Sequence, residues 1–275
     1  MKKLIAGLSL ALPLALDCYG STPLTESTFT EIIREAKIVA AANKKVSVAQ
    51  TNMVFHAPDK VRTGNASRVE MTAPDKTITR IGANTIFTFA EGERDILLEK
   101  GSLLFHSPAG AGGGSIQYRG TSAAVLGTTM ICAVLRDGSF KILDLEGKVK
   151  VTLRDGTTIT LKAGQMVVVP PDGKEFRAIE YFNIGKAVSR LALIAGFSDP
   201  LSSLALIEAA AQEQHQEITD GTIKYFVTEN QAEFGLDIVF RIQPPGLPHP
   251  PETPDHTTQP VSPIHPKHPV HPPHP

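Results

Sequence analysis

Between residues 46 and 179 apolar and polar positions alternate in short runs, and the runs are punctuated by glycine. The segments 77–81, 85–89, 96–99, 103–105, 129–135, 139–145, 148–153, 157–161 and 166–169 are rich in Val, Ile and Thr, side chains that pack well on a pleated surface. Gly92, Gly101, Gly138, Gly147, Gly156, Gly164 and Gly173 fall between them, where a turn needs positive φ and glycine supplies it cheaply. This spacing predicts an all-β domain of short strands, built as a sandwich, barrel or β-roll/solenoid. Parity assigns faces: Val149, Val151 and Leu153 point to the core while Lys148, Lys150 and Thr152 point out. By the same rule Phe140 and Ile142 bury and Ser139 and Lys141 are solvated, until Leu143 to Leu145 break the parity. The run 166–169 is apolar throughout, as in a strand covered on both faces.

Beyond Ile179 the period changes. Residues 186–197 and 201–216 are rich in Ala, Leu and Ile at helical spacing and are separated by Ser198-Asp199-Pro200, a stop followed by a cap and a first-turn proline. Residues 222–228 and 236–242 read as strands or as loosely ordered segments. From Pro244 onward the chain carries 13 of its 21 prolines and six of its nine histidines. That composition favours extended polyproline II and gives too little apolar surface to fold, so a disordered tail is expected. The first residues read as a secretory leader: Lys2 and Lys3, an apolar stretch from Leu4 to Leu16 interrupted by Pro13, then Gly20. Cys18 offers lipidation as a variant on export, against which stands Asp17 before it. The expected organisation is a signal peptide at 1–20, a β domain at 21–182, a helical pair with a short β or irregular extension at 183–243, and a Pro/His-rich tail at 244–275.

Composition narrows the chemistry. With 27 Lys and Arg against 28 Asp and Glu the net charge is −1, which provides no overall attraction to nucleic acid. Aromatic residues make up 6% with no Trp, so stacking platforms for sugars or single strands are scarce. No stretch after the leader supplies about twenty apolar residues, so no membrane span is expected in the mature chain. Removal of the leader leaves Cys132 as the one cysteine, which excludes an internal disulfide and reads as a small buried apolar group.

Three sets of residues are candidates for binding. Gly110 to Ser115, with Gly112, Gly113 and Gly114 at its centre, lacks the Gly-Lys-Ser/Thr continuation of a phosphate loop and reads as a hairpin connection able to contact a ligand. Arg62, Arg68 and Arg80 lie in neighbouring strands and would together suit carboxylates or phosphates; pairing with Glu70 and Asp75 is the plainer reading. His265, His268, His271 and His274 recur every third residue and would share one side of a polyproline helix, a possible zinc, copper or nickel site. Asp137, Asp155 and Asp172 each precede glycine and are explained by turns. With no His-Glu-x-x-His, Cys-x-x-Cys or Gly-x-Ser-x-Gly pattern, no catalytic centre and no cofactor are expected.

Several of these segments together resemble FecR-type domains. Val61-Arg62-Thr63-Gly64 followed by Ser67-Arg68-Val69-Glu70 is similar to the segment before a Thr/Asp-rich hairpin. Val125-Leu126-Gly127-Thr128-Thr129 is similar to the family's central Val-Arg-Gly-Thr element, with Leu126 where arginine is common. Leu145-Glu146-Gly147-Lys148-Val149 resembles the hairpin that follows, and Leu161, Gly164 and Gln165 the closing Leu-x-x-Gly-Gln strand. The resemblance spans roughly residues 30–180. It also weighs toward strand at Thr28-Phe29-Thr30-Glu31, whose capping-box spacing fits a helix equally well. In well-known members the domain is the periplasmic part of a transmembrane anti-sigma regulator that relays a signal from an outer-membrane receptor. With neither the cytoplasmic module nor the span in the sequence, the expectation is a stand-alone exported form, periplasmic or extracellular. Such a form would act as a non-enzymatic binding, scaffold or signal-sensing module for an envelope protein or small ligand. Metal binding by the tail and a polysaccharide-active or polysaccharide-binding β protein are the alternatives.

Overall fold

A computed structural model describes residues 22–226 and 241–243. Its first strands are β1 (Glu26–Ile33), β2 (Ala36–Val39), β3 (Val46–Val48), β4 (Val54–His56), β5 (Lys60–Thr63), β6 (Arg68–Thr72), β7 (Ile78–Ile81) and β8 (Ile86–Phe89). A long strand, β9 (Asp95–Ser107), precedes β10 (Gly114–Tyr118), β11 (Thr121–Val125), β12 (Thr128–Val134), β13 (Phe140–Glu146) and β14 (Lys148–Thr152). Next come β15 (Thr158–Lys162), β16 (Gln165–Val169) and β17 (Glu180–Tyr181), then α1 (Ile184–Arg190), α2 (Ala192–Ala195) and α3 (Leu204–Thr219). The strands β18 (Lys224–Phe226) and β19 (Arg241–Gln243) pair with each other as a separate antiparallel ribbon.

The pairings define two layers, which settles the architecture as a sandwich. The first layer runs β4-β1-β6-β7-β9-β12-β13-β16-β17, and the second β3-β2-β5-β8-β9-β10-β11-β14-β15. All contacts are antiparallel except β9 with β10. One strand, β9, serves both layers: its start pairs with β8 and its end with β7 and β12. The sequence pattern predicts two strands here with a turn at Lys100-Gly101. Gly101 instead bends a continuous strand at φ +86°, and an added Cβ would stand 2.5 Å from the Thr85 α-carbon, so glycine supplies a corner where any side chain would collide.

The layers enclose an apolar core in which Phe29, Phe55, Phe87 and Phe89 form one cluster of rings and Tyr118 is tilted against Phe140. Phe55 lies 5.4 to 6.4 Å from its three neighbours, mostly edge to face, the arrangement the ring quadrupole favours. Thr28 to Glu31 are strand, with Phe29 fully buried. As expected, Val149, Val151 and Leu153 are buried and Lys148 and Lys150 exposed.

A second core lies outside the first layer, where Leu104, Ile131, Leu143 and Leu145 pack with Ile184, Leu191, Ile194 and Ile207 of the helical segment. This cover overturns one assignment. Ser139 and Lys141 are buried, not solvated, because the outer face of β13 looks onto protein and all seven of its residues are buried. The helical segment also departs from expectation: the predicted helix at 186–197 is two short helices. Asn183 caps α1 by accepting the Lys186 N–H at 2.8 Å. Leu191 is extended between α1 and α2, a break that lets Leu191, Leu193 and Ile194 all bury.

Gly114, at φ +154°, brings its backbone against the Phe105 ring, to which an added Cβ would stand 2.7 Å away. Gly114→Ala is expected to cost about 1–3 kcal/mol through overpacking, read as a lower chemical-denaturation midpoint with an unchanged slope; an unchanged midpoint would contradict the packing.

Candidate functional site

The three arginines do not form a cationic patch. Cross-strand pairing sets Arg80 on β7 directly opposite Glu70 on β6, both facing the helices. The Arg80 Nε donates to Glu70 Oε2 at 2.7 Å and the guanidinium is fully buried. Its Nη1 donates to the Ile194 carbonyl at 2.9 Å, with the Leu193 carbonyl at 3.5 Å, and Nη2 donates to the Asp199 carbonyl at 2.7 Å. The Phe197 ring stacks on it at 4.4 Å. The last carbonyls of a helix lack internal partners, and in α2 this one side chain satisfies two of them while placing positive charge at the negative end of the helix. Arg68 donates to the Gly196 carbonyl at 3.1 Å and serves the same junction. Glu70 also accepts from Thr30 at 2.7 Å, and Glu31 accepts from the Ser198 backbone at 2.9 Å. A bulge between Phe29 and Glu31 puts these two neighbours on the helix side.

Arg62 belongs to the other layer. It is exposed and lines a groove of about 330 Å³ with Lys44, Lys60 and Glu99, where Lys60 and Glu99 are ion-paired. The glycine loop is likewise no anion cradle. Gly112 is exposed and Gly113 buried. The Gly113 carbonyl accepts from Arg94 Nε at 2.7 Å, and Arg94 continues to Thr77, to the Thr22 carbonyl and to Asp75. The cleft beside the loop is lined by Glu93 and Asp95, and the hydrogen bond and charge of Asp95 push the Glu93 carboxyl above its ordinary range. That surface disfavours phosphate.

A polar cluster absent from the sequence expectations lies under α3. Thr129 donates to Glu146 Oε1 at 2.8 Å, while Ser203 Oγ stands 2.8 Å and His106 Nδ1 2.9 Å from the same hydroxyl. Burial pushes Glu146 up and His106 down from their ordinary values; hydrogen bonds from Thr129 and to Thr128 respectively offset part of each shift. Hydroxyl, imidazole and carboxylate together are the parts of an acyl-transfer centre, but Thr129 is 0% and Ser203 1% exposed, so no substrate reaches the oxygens. The cluster fastens the start of α3 to β12. Inside the sandwich, opposite Met130, Asp144 is fully buried. The Glu146 and Val149 N–H groups favour its ionised form without reaching either oxygen in hydrogen-bond geometry. Burial, with the nearby Glu146 charge, raises its pKa to about 8.

Other candidates resolve simply. Cys132 is fully buried, and burial raises its thiol well above the ordinary value, the opposite of an activated nucleophile. Asp137, Asp155 and Asp172 each accept from a backbone N–H two residues on, the turn role expected of them. The histidines at 265, 268, 271 and 274, together with the leader, lie outside the described residues. Among the described residues no helix is long and apolar enough to cross a membrane.

The site is therefore a two-layer β scaffold with a helical cap locked onto one face and, among the described residues, no cover on the other. Residues 59–150 match the family model described as FecR protein. Comparison with curated proteins finds no match. Two solved structures with similarity are crystal structures of a "putative anti-sigma factor" from Parabacteroides distasonis ATCC 8503. Each is 17% identical and covers 66% of this chain and 97% of its own, with TM-scores of 0.40 and 0.38.

Two outcomes follow. Arg80→Met leaves Glu70 and three carbonyls short of a partner, and should cost about 3–5 kcal/mol while opening residues 191–203 to limited proteolysis; cleavage elsewhere with this segment protected would contradict the clasp. Asp144 holds its proton up to pH about 8 when folded and releases it near 3.8 when unfolded. The folded state thus binds more protons within that window, and stability falls as pH rises through it. Asp144→Asn should flatten this decline and raise the melting temperature at pH 8 but not at pH 3.5; an unchanged pH profile would contradict it.

Proposed function

We propose that the chain is an exported, non-catalytic FecR-domain protein that serves the cell envelope as a binding or signal-sensing module with a regulatory role. The observation that carries this reading is the division of its polar groups. Those with catalytic potential, around Thr129 and Arg80, are sealed beneath the helical cap and spent on holding it, whereas the outer face of the second layer has no cover among the described residues. A rigid scaffold with one open face suits recognition. The leader-like opening, with Lys2 and Lys3 before the apolar run, supports export, and the FecR domain supports a signalling context. The ligand of the module is another envelope component or a small molecule.

Fractionation of cells expressing the whole chain, with mass spectrometry of its N-terminus, tests the compartment. The expected result is a mature chain beginning near Ser21 in the envelope fraction that crosslinks reproducibly to one component. Intact Met1 in the cytosol, or hydrolytic turnover abolished by Thr129→Val, would contradict the proposal.

A further inference from the structure

The open face carries an arrangement that the fold itself does not explain. On β11, β14 and β15 the outward positions hold Ser122 and Ala124, then Lys148, Lys150 and Thr152, then Thr158, Thr160 and Lys162. Lys148 is directly opposite Lys162, and Lys150 opposite Thr160. Like charges facing each other across a ladder are destabilising, and no acidic residue occurs in any of the three strands. The three ammonium groups are exposed. Beyond them the hairpin adds Arg154, which donates to the Arg119 carbonyl, and Asp155, whose carboxylate is engaged in its own turn.

We propose that this face binds a linear anionic polysaccharide whose sugars carry carboxylates. The inference deepens the binding reading above by naming a ligand class, and it rests on that reading. Charge complementarity sets the sign of the ligand. The spacing sets its form: the lysines stand two residues apart along one strand and face each other across to the next, a spread of like charge that suits a polymer of repeated charge rather than one small anion. Ser122, Thr152, Thr158 and Thr160 line the same rows with hydroxyls, which hydrogen-bond sugar hydroxyls and carboxylates alike. No aromatic ring occurs in these strands, so the stacking that would hold a neutral glycan is missing and recognition depends on ions. A lipid surface fits less well, since among the described residues Leu126, the residue after β11, is the one large apolar side chain exposed next to these strands, too little to enter a bilayer.

The test measures binding of the full chain to immobilised polygalacturonate, with dextran as the neutral polymer, at rising salt. Retention on polygalacturonate alone, weakened by salt and reduced about tenfold or more in Lys148→Gln/Lys150→Gln/Lys162→Gln, supports the proposal. The control Lys60→Gln/Arg62→Gln, which removes charge from the separate groove, should bind within about twofold of the parent. No retention, equal retention on dextran, an equal loss in the control, or tighter sedimentation with phosphatidylglycerol vesicles than binding to polygalacturonate would overturn it. Whether the lysines serve the fold is read separately: Lys162→Glu should raise the melting temperature by about 1–3 °C by relieving the facing charges, and a lower melting temperature would also overturn it. Loss of polygalacturonate binding alongside a reproducible crosslinked protein partner would reject this ligand class while leaving the binding reading standing.

Discussion

A single desolvated guanidinium determines how the parts of this protein hold together. Arg80 emerges from a strand whose alternate residues fill the sandwich core, and it reaches outward into a space closed to solvent. A buried charge is tolerated only when it is both paired and hydrogen-bonded. Glu70 supplies the pair, and the carbonyls of residues 194 and 199 supply the bonds. The dependence is mutual: without the cap the ion pair would face solvent and contribute little, and without the arginine the end of α2 would bury its carbonyls unsatisfied. The break at Leu191 follows from the same geometry, since it sets a short helix with its carbonyl end toward β7.

That clasp explains why the two faces of the molecule differ. The first layer is covered, and polar residues on its outer face are consumed in attachment: Glu31, Glu70 and Arg68 at one end, and His106, Thr129 and Glu146 with Ser203 toward the start of α3. The second layer has no such cover among the described residues. On β11, β14 and β15 its outward residues are chiefly hydroxyls and lysines, and this is the surface from which a binding function has to be built. The glycine loop belongs to packing, because Arg94 and Phe105 fill the space around Gly113 and Gly114.

Strands, turns and inward faces were legible because they depend on neighbours within the sequence. Period-two alternation identified Val149, Val151 and Leu153, and Asp-Gly pairs identified turns. What required the structure depended on neighbours distant in sequence. Arg80, between Thr79 and Ile81, carries no local sign that a helix more than a hundred residues later will cover it. The same alternation sends Ser139 and Lys141 to solvent, because it cannot anticipate a third layer. The parity break at Leu143 to Leu145 was the one visible hint, because apolar side chains on both faces of β13 imply cover on both. Gly101 was read as a turn since a glycine that ends a strand and one that bends it look alike in sequence.

The central claim is that cap and sandwich form one cooperative unit through Arg80. Native-state hydrogen exchange on the unaltered protein tests it most directly. The account predicts that the slowest amides of residues 191–203 exchange only with the global opening that also releases β6 and β7, with the same denaturant dependence. Exchange of that segment through a separate, low-energy opening while β6 and β7 stay protected would contradict it.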